Sequence, residues 1–213
     1  MHHIAVIDYG MGNLRSVSKA LEAVSNNASV VVTSDPKTIL SASHVLFPGV
    51  GAIRDCMAEL KQLELEDVIL QATQEKPFLG ICLGMQALLS HSEENNGVDT
   101  LNLFSGSVKL FRPDASVNGE KLKVPHMGWN QVHQTCSHPL WKNIEQNSRF
   151  YFVHSFYAEP IDKAVIAGTS AYPDDFAAAL YKDNIFAAQF HPEKSQRAGL
   201  QLLENFVNWD GQS

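Results

Sequence analysis

The chain has 213 residues, 45% of them hydrophobic and 18% charged, with a formal net charge of −7. That length and apolar content suit one α/β domain with a full core, so a single domain over residues 1–213 is the simplest reading. An acidic chain without clustered Lys and Arg is a poor phosphate-backbone binder, no stretch approaches the roughly 20 apolar residues of a membrane span, and no repeat or low-complexity tract points to disorder.

Ile4 to Asp8 is a short β-rich run, ended by Tyr9-Gly10-Met11-Gly12-Asn13. The residues ahead of it lack the basic and apolar regions of a secretion signal, so a cytoplasmic protein is expected. Asn13 is suited to cap the next element, where Leu14, Val17, Leu21 and Val24 form the stripe of an amphipathic helix. The β-turn-α unit then recurs. Val30 to Thr33 reads as strand, Pro36 to Ser41 as a short helix, His44 to Phe47 as strand, and the stretches through Met57, Leu60 and Val68 as helix. Phe78 to Ile81 is an apolar strand leading into Met85 to Leu89, which reads as helix.

From about residue 105 strand-like runs dominate: Ser107 to Phe111, Phe150 to Phe156, Val165 to Ser170, Ala178 to Tyr181 and Phe186 to Phe190. These look partly antiparallel, and Leu200, Leu203 and Val207 mark a closing helix. Strands alternating with helices favour a largely parallel sheet covered on both faces. The expected fold is a three-layer α/β/α domain with a central mixed, mostly parallel sheet.

Three cysteines, Cys56, Cys82 and Cys136, are an odd number with wide spacing and read as free thiols. Cys82 stands in Gly80-Ile81-Cys82-Leu83-Gly84 between a strand and a helix, the form of a nucleophile elbow with Cys in place of Ser. Glycine flanks a sharp turn whose central residue is strained, because a β-carbon there would meet adjacent backbone. The sulfur is expected to be exposed at the turn. The pentapeptide also suits a buried structural thiol, and partner residues decide between the two.

A thiol acyl-transfer site needs a histidine to move the proton and an acceptor to orient it. His191 follows an apolar strand in Phe190-His191-Pro192-Glu193. Pro192 biases His191 toward an extended conformation, in which the side chains of His191 and Glu193 point the same way.

Gly10-Met11-Gly12 lacks the third glycine of a dinucleotide fingerprint, Arg15 standing there, and Pro48-Gly49-Val50-Gly51 lacks the Gly-Lys-Ser/Thr of a phosphate loop. No nucleotide or other cofactor is expected. His133, Cys136 and His138 offer three ligands in what reads as an irregular surface loop, so no metal site is expected there.

Gly80 to Gln86 together with Phe190 to Ser195 resembles the class I (triad) glutamine amidotransferases. Ile7 to Ser16, Pro48 to Gly51, Val124 to Asn130 and Tyr151 to Ser155 are similar, within that family, to the glutaminase subunits of imidazole glycerol phosphate synthase, of histidine biosynthesis. Ile53, where an aromatic is usual, and the stretch from Val98 to Leu103 depart from the family pattern, both outside the triad.

The resemblance implies Cys82 as nucleophile, His191 as acid and base, and Glu193 as the group that orients it. It implies oxyanion donors at Leu83 and in the Val50-Gly51 turn. It places the ammonium of glutamine at Gln86 and Glu94, and the carboxylate at His154, Ser155 and Phe156. It also implies a partner, a (β/α)8 cyclase subunit that receives the ammonia, with Asn13, Met127 and Trp129 at the interface.

Overall fold

The computed structural model describes residues 3–25, 28–112, 116–117, 120–121 and 123–212. Its first half alternates strand and helix: β1 (His3–Ile7), α1 (Leu14–Val24), β2 (Ser29–Thr33), α2 (Pro36–Ser41), β3 (His44–Gly49), α3 (Ile53–Gln62), α4 (Glu66–Glu75), β4 (Phe78–Cys82) and α5 (Leu83–Gln86). Strands then dominate: β5 (Leu89–Ser92), β6 (Val98–Asp99), β7 (Phe104–Leu110), β8 (Ser116–Val117), β9 (Glu120–Lys121), β10 (His126–Gln131), β11 (His133–Gln134), β12 (Arg149–His154), β13 (Phe156–Pro160), β14 (Ile166–Ala171), β15 (Asp175–Lys182) and β16 (Ile185–Ala188), before α6 (Gln196–Val207).

Among the described residues the main sheet has twelve strands, in the order β2-β1-β3-β4-β16-β15-β13-β7-β5-β6, with β14 and β11 branching from β15. It is mixed as expected. The block from β2 to β16 is parallel, and β16-β15-β13-β7 is antiparallel. The alternation of side chains along each strand feeds two cores. Ala5, Ile7, Val45 and Phe47 face α2, α3 and α4, while Ile4, Val6 and Leu46 face α1 and α6. Leu202, Leu203 and Phe206 of α6 are fully buried, each stabilising the fold by roughly 1.5–3 kcal/mol. No helix of the described residues is long and apolar enough to cross a membrane.

Four local expectations are corrected. The helix expected over Met85 to Leu89 is the four-residue α5, and Leu89 already belongs to β5. The returning chain takes the carbonyls a longer helix would use, with Leu101 N–H donating to Ala87 O at 2.9 Å and Phe104 N–H to Leu88 O at 2.9 Å. The run Phe150 to Phe156 is two strands broken at Ser155, because β12 leaves the main sheet to pair with β10 in a separate antiparallel ribbon. Asn13 precedes α1 without a side-chain cap, its backbone carbonyl receiving the Ser16 and Val17 N–H groups instead. Leu200 lies on the outer face of α6, 38% exposed.

Candidate active site

Cys82 closes β4 with φ +55° and ψ −107°, a conformation a non-glycine residue adopts only under constraint. The constraint is packing around it. A β-carbon on Gly84 would stand 2.0 Å from Phe47 O, and one on Gly49 would stand 2.4 Å from the Tyr9 hydroxyl. Tyr9 in turn donates to Pro48 O at 3.0 Å, fixing the end of β3, where Gly49 lies in register with Cys82. The elbow is therefore held by its neighbours, as the glycine pattern required. Its sulfur is more enclosed than expected, since Cys82 is 7% exposed and opens only into a cavity.

His191, in extended conformation, follows β16 by three residues. Its Nδ1 lies 2.9 Å from Glu193 Oε1, and both side chains are at most 2% exposed. The turn that carries them is clamped on two sides. His191 N–H donates to Tyr151 O at 2.9 Å, and Ser195 Oγ donates to His191 O at 2.6 Å while accepting from Tyr151 N–H at 2.9 Å. From below, α6 approaches so closely that a β-carbon on Gly199 would meet Pro192 O at 1.9 Å.

Burial alone would push the His191 imidazole down, but Cys82 and then Glu193 outweigh it and hold it up at about 10. The neighbouring sulfur and carboxylate thus favour the protonated ring against the cost of burying it. Its Nε2 and Glu193 Oε2 are buried without a hydrogen-bond partner among the described residues, an arrangement that costs stability and clusters at functional sites.

Cys82 and His191 border a cavity of 310 Å³ with Val50, Gly51, Leu83, Gln86, Glu94, His154, Ser155 and Phe156. Every substrate-facing residue expected from the sequence is in that lining, and the volume falls in the range of small-molecule sites, about 300–1,000 Å³. Glu94 is not a free surface charge: its Oε2 accepts the Ile53 N–H at the start of α3 at 3.1 Å. Pro125 and Val153 also line the cavity and were not anticipated.

Gln86 Nε2 donates to Phe156 O and to Gln189 Oε1, each at 3.0 Å. Both its protons are thus spent within the protein, and Oε1 is the atom left to accept from an ammonium group. Phe156 O also receives His154 Nδ1–H at 2.7 Å. A carbonyl only accepts, so His154 Nε2 must accept from His126 Nδ1 at 2.9 Å, and His126 Nε2 from Asn130 Nδ2 at 3.3 Å. Desolvation pushes His126 down to about 4 and His154 down to about 3, so both rings are neutral at physiological pH.

Gln189 was missed from the sequence, although it stands two residues before His191, the same spacing that links His191 to Glu193. Met127 and Trp129 sit on the outer face of the β10–β12 ribbon, 62% and 40% exposed. Asn13 lies in the turn before α1. His138, expected in a surface loop, is buried against Trp209 and Phe186. Its Nδ1 accepts from Leu140 N–H, His133 pairs with Asn147, and among the described residues no three potential ligands converge on a metal position.

Residues 5–209 match the family model described as glutamine amidotransferase class-I. The chain belongs to that family. Among curated relatives of this amidotransferase, the "Imidazole glycerol phosphate synthase subunit HisH" of Pseudomonas putida is 57% identical over 211 residues, covering 99% of each chain. The protein of the same name from Nitrosococcus oceani is 59% identical over 213 residues and covers 100% of each. The solved structure of PurLQS from Thermotoga maritima matches with a TM-score of 0.74 at 18% identity, over 97% of this amidotransferase and 98% of that chain, a likeness of fold.

Proposed function

We propose that this chain is the glutaminase subunit of an imidazole glycerol phosphate synthase, acting in the cytoplasm and passing ammonia to a cyclase partner. One observation carries the chemistry: a buried imidazole paired with Glu193 at 2.9 Å and lining, together with Cys82, the wall of a cavity suited to a free amino acid. The relatives' printed name, at 57% and 59% identity over essentially the whole chain, supports the pathway.

In this reading Cys82 Sγ attacks the side-chain carbonyl carbon of glutamine. The carbon–nitrogen bond breaks as His191 gives its Nε2 proton to the leaving nitrogen, releasing ammonia and leaving a glutamyl thioester. His191 then takes a proton from water, which attacks the thioester to release glutamate and restore the sulfur. Glu193 holds the ring with Nε2 toward the reacting atoms. Both tetrahedral intermediates carry an oxyanion, for which the Leu83 N–H and one N–H of the Val50-Gly51 turn are the donors. Gln86 Oε1 and Glu94 receive the substrate ammonium, and the backbone from His154 to Phe156 receives its carboxylate.

Ammonia released into water is mostly protonated and lost as a nucleophile, so delivery to a second active site favours a bound partner. The proposed partner is the (β/α)8 cyclase subunit, which uses ammonia to make imidazole glycerol phosphate and an aminoimidazole carboxamide ribonucleotide. It docks through Asn13, Met127 and Trp129. The test is glutamate release from glutamine by the chain alone and with a histidine-pathway cyclase subunit plus its nucleotide ligand. Strong stimulation by the cyclase and complete loss in Cys82→Ala are expected. A cyclase that neither binds nor stimulates removes the pathway assignment.

A further inference from the structure

Gln189 is fully buried, its backbone N–H fixed to Ala178 O at 2.9 Å, and its side-chain amide lies between two groups of the site. On one side its Oε1 accepts from Gln86 Nε2 at 3.0 Å, and on the other its Nε2 donates to Cys82 Sγ at 3.6 Å. The orientation of this amide is determined rather than chosen. Gln86 must present its NH₂ to Phe156 O, because a backbone carbonyl can only accept. The second Gln86 proton then meets Gln189 Oε1, and that leaves the Gln189 NH₂ facing the sulfur. A flipped Gln189 would set two NH₂ groups against each other and a carbonyl against Sγ.

We propose that Gln189 is a positioning residue that donates to the Cys82 sulfur and links it to the Gln86 side of the substrate cavity, a role that rests on Cys82 being the nucleophile. Sulfur gains negative charge as the thiol deprotonates and loses it on forming the thioester, so an N–H donor holds the sulfur ready in its anionic form and in place. The link also works in reverse. Gln86 keeps Oε1 as its remaining acceptor only while Gln189 Oε1 and Phe156 O occupy both protons of its NH₂, so the same amide sets the group offered to the substrate ammonium.

Two substitutions separate these effects. Gln189→Met keeps the length and volume of the side chain and removes both donor and acceptor, whereas Gln189→Glu keeps an acceptor for Gln86 and places an acceptor against the sulfur. The first readout is the rate at which iodoacetamide alkylates Cys82 at neutral pH, followed by peptide mass spectrometry, with thermal melting recorded for each variant. Both substitutions should slow alkylation about tenfold, the effect of losing one hydrogen bond to a charged atom.

The second readout is glutamine turnover in the presence of the cyclase subunit. Gln189→Glu should lower kcat about tenfold with KM close to wild type, and Gln189→Met should lower kcat and raise KM together. Should Gln189→Met fail to fold, Gln86→Met supplies the same chemical test, since it frees the Gln189 amide to turn and should slow alkylation. The proposal is overturned if folded variants alkylate within twofold of wild type, or if Gln189→Glu keeps the wild-type kcat. The assignment of Cys82 as nucleophile fails separately, with Gln189 and Gln86 intact, if Cys82→Ala still turns over glutamine.

Discussion

Gly84 and Gly49 press against backbone and a buried hydroxyl at distances no β-carbon tolerates, which ties the strained Cys82 conformation to the packing of β3 against β4. Adding one methyl at Gly84 forces α5 and the elbow away from Phe47 of β3. Gly84→Ala is expected to destabilise the fold by about 1–3 kcal/mol and to lower the melting temperature by roughly 2–12 °C. Calorimetry checks this, and an unchanged midpoint would show that the elbow yields without cost. The residues of the elbow and of the His-x-Glu pair were legible in the sequence because their spacing states their geometry. Gln189 was not, since its meaning depends on Gln86 and Phe156, which the fold brings to it from distant positions. The enclosure of Cys82 was equally hidden, being set by strands that the local motif does not contain.

The turn from His191 to Ser195 is a short element whose position is set from outside, by Tyr151 of β12 and by α6 beneath Gly199. Gly199→Ala must push Pro192 O from its place 1.9 Å away, and the imidazole moves with that turn. A displacement near 1 Å costs on the order of 100-fold in rate, so kcat should fall steeply in a steady-state assay while the protein remains folded.

The β10–β12 ribbon carries a second element-scale property in the His126–His154 pair. An unfolded histidine titrates near 6.5, whereas these are pushed down to about 4 and about 3, so the unfolded chain binds protons the native state refuses. Their contribution is complete above about pH 6.5 and is lost progressively as the pH falls toward 4 and below. His191, held up at about 10, runs the other way: its contribution is present below 6.5 and is lost as the pH rises through 10. Denaturant melts from pH 7 to 4 should show stability falling on acidification, with a shallower slope in His126→Gln. A slope unchanged by that substitution would contradict the assignment of this titration to the pair. The ribbon itself was not legible from the sequence: its residues carry an ordinary strand signal, and only the break at Ser155 separates them from the main sheet.

Across the whole molecule, the parallel half of the sheet was readable because each strand is followed by a helix with its own periodicity. The antiparallel half was less so, as β15 pairs with β14, β13 and β16 through contacts that no local pattern encodes. What the sheet achieves is convergence: β4 delivers Cys82, the turn after β16 delivers His191 and Glu193, and the β12–β13 break delivers Phe156 to one cavity. The exposed Met127 and Trp129 stand on the ribbon whose other face holds His126 and Asn130. Trp129→Ala is expected to weaken cyclase binding by about 2 kcal/mol, near 30-fold in Kd by titration calorimetry. An unaltered Kd would move the interface elsewhere.

The central claim is that Cys82 is the atom that meets glutamine. Its most direct measurement is covalent labelling by a glutamine analogue carrying a diazoketone in place of the amide, with the modified residue located by peptide mass spectrometry. The label should fall on Cys82, spare Cys56 and Cys136, and be suppressed by free glutamine. A label on either other cysteine, or one that glutamine does not suppress, would contradict it.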